Sequence, residues 1–216
     1  MELRRSLNAA HREAHALAQA PAAEAPVAQA PAAVARARRN GRLPVALRRL
    51  ALCVVAVWLI VVVAVPAASA HATTMTKPEK KLMTLVNRLR VKHHLHRLTM
   101  VGSLERAARA HSRQMVRRGY FGHDSASGET LGARLIRFGY TASGCTRWTV
   151  GENIAYGYQA SGTPHAIFMA WWHSPAHRRV MLTKRFRNLG VGRASGTFKG
   201  VDGIVFYTLD CGARTR

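Results

Sequence analysis

Acidic residues are scarce in this chain of 216 residues, with 10 Asp and Glu against 33 Lys and Arg, a formal net charge of +23. That balance excludes an acidic solvating surface and directs electrostatic attraction toward anions. Cysteine is rarer still, three in all, which excludes a disulfide-dense scaffold, and no zinc-finger spacing is present. Aromatic residues make up only 7% of the chain, without an ordered stacking ladder. A Gly-rich phosphate loop and internal repeats are also missing. Hydrophobic residues nevertheless reach 48%, so the chain is neither collagen-like nor wholly disordered. The length suits one ordinary domain with extensions.

Charge is unevenly spread. Residues 1–49 carry 9 Arg and 3 Glu, residues 50–70 carry none, and residues 71–216 carry 24 Lys and Arg against 7 Asp and Glu. The uncharged segment opens with an apolar run, Leu50–Val65, preceded by Arg42, Arg48 and Arg49 and followed by Ala68-Ser69-Ala70. A basic flank, an apolar stretch and a small-residue end are the parts of a secretory signal. The same segment is long enough to remain as a transmembrane signal anchor. Either way, the rest of the chain is expected outside: secreted, or anchored to the outer face of the cytoplasmic membrane. Residues 1–49, rich in Ala, Pro and Arg, read as a disordered cytoplasmic tail or as leader sequence ahead of the true start. Cys53 opens the apolar run. The two cysteines beyond it, Cys145 and Cys211, are expected to form one disulfide in an exported chain.

Residues 77–213 carry the folded domain. Leu82, Leu85, Val86 and Leu89 fall at helical spacing behind Pro78. Ser103 is expected to cap a second helix with Leu104, Ala107, Ala108, His111 and Met115 inward and Gly119 at its end. Thr130 caps a third helix, Thr163-Pro164 begins a fourth, and Ser174-Pro175 begins a short fifth, with Ser174 as N-cap. The pattern then changes to β-branched and aromatic residues in Asn188–Ala194 and Gly203–Asp210, a hairpin signal around a Gly-rich loop. Helices followed by an antiparallel sheet give an α+β domain.

Ionisable residues stand at three expected element boundaries: His123 after Tyr120-Phe121-Gly122, Glu152 in a loop opened by Gly151, and His177 in Ser174-Pro175-Ala176-His177-Arg178. Two His and one carboxylate suit a zinc ion with one coordination position left open. Without metal, the same residues could serve as an acid–base pair. Their spacing does not show that they meet, and composition alone favours two satisfied histidines and an exposed Glu. Asn153 reads as a turn-stabilising amide, Trp171 as core, and Trp172 as a residue near a cleft rim. His111 and Met115 read as core packing. The His93, His94 and His96 cluster reads as a solvated helix end.

The ordered set Leu85-Val86-Asn87-Arg88, Leu104–Met115, Gly119-Tyr120-Phe121-Gly122-His123, Gly151-Glu152-Asn153-Ile154-Ala155, Ala170-Trp171, Ser174–Arg178, Leu189-Gly190-Val191-Gly192 and Tyr207–Asp210 resembles the bacterial branch of the CAP superfamily. That superfamily comprises the cysteine-rich secretory, antigen 5 and pathogenesis-related 1 proteins, and its domain is also called SCP. The resemblance covers nearly all of residues 80–212. It implies an α-β-α sandwich, with a central antiparallel sheet between helical layers and a cleft holding two His and two acidic residues. In some members these coordinate a divalent metal. The matching positions are His123, Glu152 and His177, while the second acidic position falls on Ser174, leaving a three-residue site.

Three functions follow as expectations. The first is a non-enzymatic exported binding module holding an anionic cell-wall polymer, lipid or peptide, with a divalent metal, zinc above others, in its His/Glu cleft. The second is a metal-assisted or acid–base hydrolase of peptide or cell-wall bonds, with Glu152, His123 and His177 as its catalytic residues and Ser125 as a candidate nucleophile. The third, a nucleic-acid binder, rests on charge alone and lacks a reading motif. Membrane attachment through residues 50–70 applies if that segment is uncleaved.

Overall fold

The computed structural model describes residues 74–215. The tail at 1–49 and the apolar segment at 50–70 lie outside the described residues. Among the described residues no helix is long and apolar enough to cross a membrane.

The domain runs α1 (Lys77–Lys92), β1 (Thr99–Met100), α2 (Gly102–Arg118), α3 (Leu131–Arg137), β2 (Arg147–Tyr158), a 3₁₀ turn (Gln159–Gly162), α4 (Pro164–His173), α5 (Pro175–Leu182), β3 (Asn188–Phe198) and β4 (Val201–Thr215). The start of α1 is fixed by Thr76, whose backbone N–H and hydroxyl both donate to the Glu79 carboxylate, at 2.7 and 2.8 Å. Thr130 and Thr163 cap α3 and α4, accepting from Ala133 N–H and Ala166 N–H. The Ser103 cap is not observed. Helix α2 begins two residues earlier, at Gly102 behind Val101, and no side chain caps it. Val101 is already tied to the sheet by its N–H to Leu189 O at 2.9 Å, so strand β1 anchors the helix entry.

The sheet has the order β1-β3-β4-β2. Its three long strands are antiparallel, but β1 pairs parallel with β3, a two-residue addition to the expected antiparallel sheet. The β3–β4 turn is Lys199-Gly200, both at positive φ (50° and 77°), a tight hairpin where a longer loop was expected. The expected loop at Gly151–Ala155 is instead the middle of the twelve-residue strand β2. Polar side chains on both its faces, Glu152 and Asn153, hide its alternation, since both are buried as the apolar residues around them are.

Helices α1, α4 and α5 cover one sheet face, where Leu82, Val86, Ile167, Trp171, Val180 and Met181 pack on Val191, Tyr207 and Leu209. Helices α2 and α3 cover the other, through Leu104, Met115, Leu131 and Leu135 against Val150, Ile154 and Phe206. The domain is therefore an α-β-α sandwich. Burying each of these large side chains contributes roughly 1.5–3 kcal/mol. Glycine sets the spacing of the second layer. A Cβ on Gly190 or Gly192 would lie 2.2 or 2.1 Å from the backbone of α2, at Leu104–Glu105 and Ala108–Arg109. Only hydrogen at these two positions lets helix backbone rest directly on the strand.

Cys145 and Cys211 are free thiols, which corrects the expected disulfide. The strand register explains why. Cys211 pairs with Gly151, whereas Arg147, two residues beyond Cys145, pairs with Thr215. Four residues of strand separate those rungs, about 13 Å at ~3.3 Å each, beyond the Cα separation a disulfide spans. Cys211 is buried in the core, which pushes its thiol up to about 12.

Candidate functional site

Glu152 projects from the middle of β2 onto the α2–α3 face and is fully buried. Both its oxygens are engaged. His123 Nδ1–H donates to Oε1 at 2.8 Å and Arg134 Nη2 donates to Oε2 at 2.5 Å. Arg134 also donates through Nη1 to the His123 carbonyl at 3.0 Å, so one guanidinium holds the carboxylate and the loop that presents its histidine. His111 Nε2 lies 3.8 Å from Oε2 and donates to Gly122 O at 3.0 Å. Burial opposes ionisation of Glu152, but Arg134, His111 and the His123 hydrogen bond outweigh it and hold its carboxyl down at about 2.

A second carboxyl faces this one. Asp210 on β4 stands directly opposite Glu152 and is equally buried. Burial and the Glu152 charge push its pKa well above the carboxylate range. Ionised, neither oxygen would have a donor; protonated, its hydroxyl faces the Glu152 carboxylate. Two carboxyls thus share one site with a single negative charge.

His177 is buried at the start of α5. Its Nδ1 is paired with Ser174 Oγ at 2.8 Å, while Nε2 has no hydrogen-bond partner. Burial and the charge of nearby His123 lower its pKa to about 4. Ser174 stands at the N-cap position of α5 with Pro175 behind it, as expected, but its hydroxyl is spent on the imidazole and not on a helix N–H. Asn153 points to the other face of β2 and donates to His177 O at 2.9 Å, so it ties strand to helix and does not stabilise a turn. Trp171 is core, with its indole N–H on Ile154 O. Trp172 is half-buried, with the Arg178 guanidinium 5.2 Å from its ring. Ser125 donates to Glu129 at 3.3 Å, away from Glu152.

Sequence reasoning missed Arg134 and Asp210 and put His111 down to packing alone. Arg134 did leave a signal, since it occupies the i+3 position of the stripe Leu131, Leu135, Phe138, where an apolar residue is expected. An arginine on an inward stripe needs a buried anion. Asp210 has no comparable local signal, because strand pairing alone sets it against Glu152.

The donor set does not fit a divalent metal. Among the described residues no group of three or more His, Cys, Asp or Glu side chains is placed to hold one. Of the expected trio, His123 and Glu152 are hydrogen-bonded to each other, and His177 is paired with Ser174. Arg134, 2.5 Å from Glu152, already supplies the positive charge that a cation would bring.

A sandwich of this topology, with an inward Glu on the edge strand β2 and histidines delivered from the loop after α2 and from α5, defines a class. Residues 83–211 match the family model for the cysteine-rich secretory protein family, CAP, and the chain belongs to that family. It is 35% identical over 114 residues to the uncharacterized protein YkwD of Bacillus subtilis (strain 168), which covers 53% of this chain and 41% of that protein. Among solved structures, an extracellular protein containing an SCP domain from Bacillus anthracis matches with TM-score 0.53 and 30% identity, over 63% of this chain and 40% of that one. An outer surface protein of Borrelia burgdorferi matches with TM-score 0.53 and 23% identity, over 66% of this chain and 97% of that one, a likeness of fold. The chain thus spans less than half the length of the Bacillus relatives. The Bacillus anthracis protein is an extracellular one, in keeping at a coarse level with a secreted chain.

Proposed function

We propose that this protein is an exported binding module for an anionic ligand of the cell envelope, and that the domain binds without catalysing a reaction. One observation carries the reading. Of the seven carboxylates in residues 74–215, Glu79, Glu105, Glu152 and Asp210 are buried, leaving Asp124, Glu129 and Asp202 at the surface. Of the 23 Lys and Arg in the same span, only Arg90, Arg109 and Arg134 are buried. Twenty surface cations thus face solvent with three anions, which concentrates polyanions around the domain. A wall polymer, an anionic lipid or an acidic peptide all suit that field. Export rests on the signal-like segment at 50–70, either cleaved to release the domain or retained as an anchor.

The Glu152 centre supports binding over catalysis because its carboxylate is saturated. With both oxygens bonded and a carboxyl held at about 2, it is a poor general base near neutral pH. The centre instead fixes the loop at 120–123 and presents His123, whose side chain is 13% exposed, at the surface.

Titrating the purified full chain in detergent with linear polyphosphate and with a neutral polysaccharide tests the reading. Polyphosphate is expected to bind with an affinity that falls steeply as salt rises, and the neutral polymer is not. Equal affinity for the two would sink the proposal.

The Ser174–His177 pair favours a second reading, a hydrolase with Ser174 as nucleophile and His177 as base. A pKa of about 4 makes His177 a weak base, and no third group orients its ring. Labelling of Ser174 by a fluorophosphonate, abolished in Ser174→Ala, would establish this reading in place of the first.

A further inference from the structure

At the end of the sheet where β2 begins and β4 ends, on the other face from Glu152, lies a cavity of about 420 Å³. Four arginines line it, Arg147, Arg185, Arg187 and Arg214, with the hydroxyl residues Thr149 and Thr215 between them. No carboxylate side chain is among its lining residues. The backbone brings these residues together from three places. Arg147 pairs with Thr215 and Thr149 with Ala213 across β2 and β4, while Arg187 N–H joins the α5–β3 loop to Gly212 O at 3.0 Å.

Two of the guanidiniums are held in position. Arg187 donates to the carbonyls of Lys184, Arg185 and Phe186, at 2.6, 3.3 and 3.0 Å. Arg214 lines the rim, with its guanidinium 4.6 Å over the Tyr140 ring on the Glu152 side of the sheet. The side chains of the other two, Arg147 and Arg185, make no hydrogen bond or ion pair among the described residues. Like charges gathered around one hollow repel each other unless an anion fills it. Guanidinium forks match phosphate oxygens in pairs, and threonine hydroxyls supply further donors. The volume lies within the range of small-ligand sites.

We propose that this four-arginine pocket is the subsite that receives a phosphate or phosphate ester group, separate from the Glu152 centre. The inference rests on the anionic-ligand reading above and assigns that ligand's chemical class and point of attachment. A free phosphate compound and a phospholipid headgroup share this chemistry.

The test uses the full chain in detergent with pyrophosphate as probe, followed by calorimetry. The variant is Arg147→Gln/Arg185→Gln, which removes the two guanidiniums that bond to nothing else. The control is Arg113→Gln/Arg117→Gln on the exposed side of α2. Loss of two charged hydrogen-bonding groups should weaken binding at least about tenfold, and the control should change it less than about twofold. A parallel arm measures the chain's binding to phosphatidylcholine vesicles with and without phosphatidylglycerol. Pocket-dependent binding confined to the phosphatidylglycerol vesicles assigns the site to a headgroup, and pocket-dependent pyrophosphate binding assigns it to free phosphate. If polyphosphate still binds but both double variants weaken pyrophosphate and vesicle binding equally, the pocket is overturned while the anionic reading stands. If neither polyphosphate, pyrophosphate nor anionic vesicles bind, both fall together.

Discussion

Two buried clusters in this domain follow the same electrostatic recipe and serve different ends. In the first, Arg109 bridges Glu79, at 2.5 Å, and Glu105, at 2.9 Å, between α1 and α2. In the second, Arg134 meets Glu152, with Asp210 opposite. Each has one guanidinium and two carboxyls. In each, one carboxyl is lowered (Glu79, Glu152) and the other raised by burial (Glu105, Asp210). The first is completed by the Thr76 helix cap and is closed. The second adds two histidines, and one of them, His123, reaches the surface. Paired buried charge by itself therefore marks structure; paired charge joined to an imidazole at the surface marks a site.

Removing either guanidinium strands buried carboxylates and is expected to cost about 3–5 kcal/mol, the largest effect foreseen. The comparison breaks if Arg109→Met and Arg134→Met act alike on His123: its ring resonances should move in Arg134→Met and stay in place in Arg109→Met. Chemical denaturation and histidine NMR read the two quantities.

Glu152→Gln should be milder, roughly 1–3 kcal/mol, because Asp210 then loses the charge that keeps it protonated and can ionise beside Arg134. An infrared carboxyl band at Asp210 that is present in the wild type and lost in the variant would show this transfer. Persistence of the band would refute it.

Acid should distinguish the clusters next. His111 and His177 titrate at about 4 in the folded protein, against about 6.5 unfolded, because burial disfavours their charged forms. The unfolded chain takes up protons first. Stability from these groups is therefore complete above pH ~6.5 and is lost as pH falls toward 4, by up to about 1.4 kcal/mol per pH unit for each histidine. Asp210 and Glu105, with raised values, act in the opposite sense and gain stability as pH falls. An Asp210→Asn background removes the larger of these. There, His111→Gln/His177→Gln should flatten the slope of thermal stability against pH.

The smallest effect concerns the thiols. A reductant should leave the melting temperature unchanged, since Cys145 and Cys211 are free. A drop of several degrees would restore the cross-link.

Much of the fold was legible because local chemistry writes it. Thr130, Thr163, Pro78 and Gly119 mark helix ends wherever the chain folds, since caps and left-handed turns depend on a few neighbouring residues. The missed elements were those set by partners far away in sequence. Val101 needs no side-chain cap because Leu189 already holds it, and β2 reads as a loop until its inward Glu152 is seen to have a guanidinium waiting.

The sequence by itself determined the family, the helical layers, the strong positive charge and the identity of His123, Glu152 and His177 as residues of interest. Only the tertiary structure decided what those residues do to one another. Strand register set Asp210 against Glu152 and carried Cys211 away from Cys145, and the packing of α3 set Arg134 against Glu152. The physical reason is range: caps and turns act over three or four residues, whereas charge pairing in a core depends on which distant strands and helices share a face.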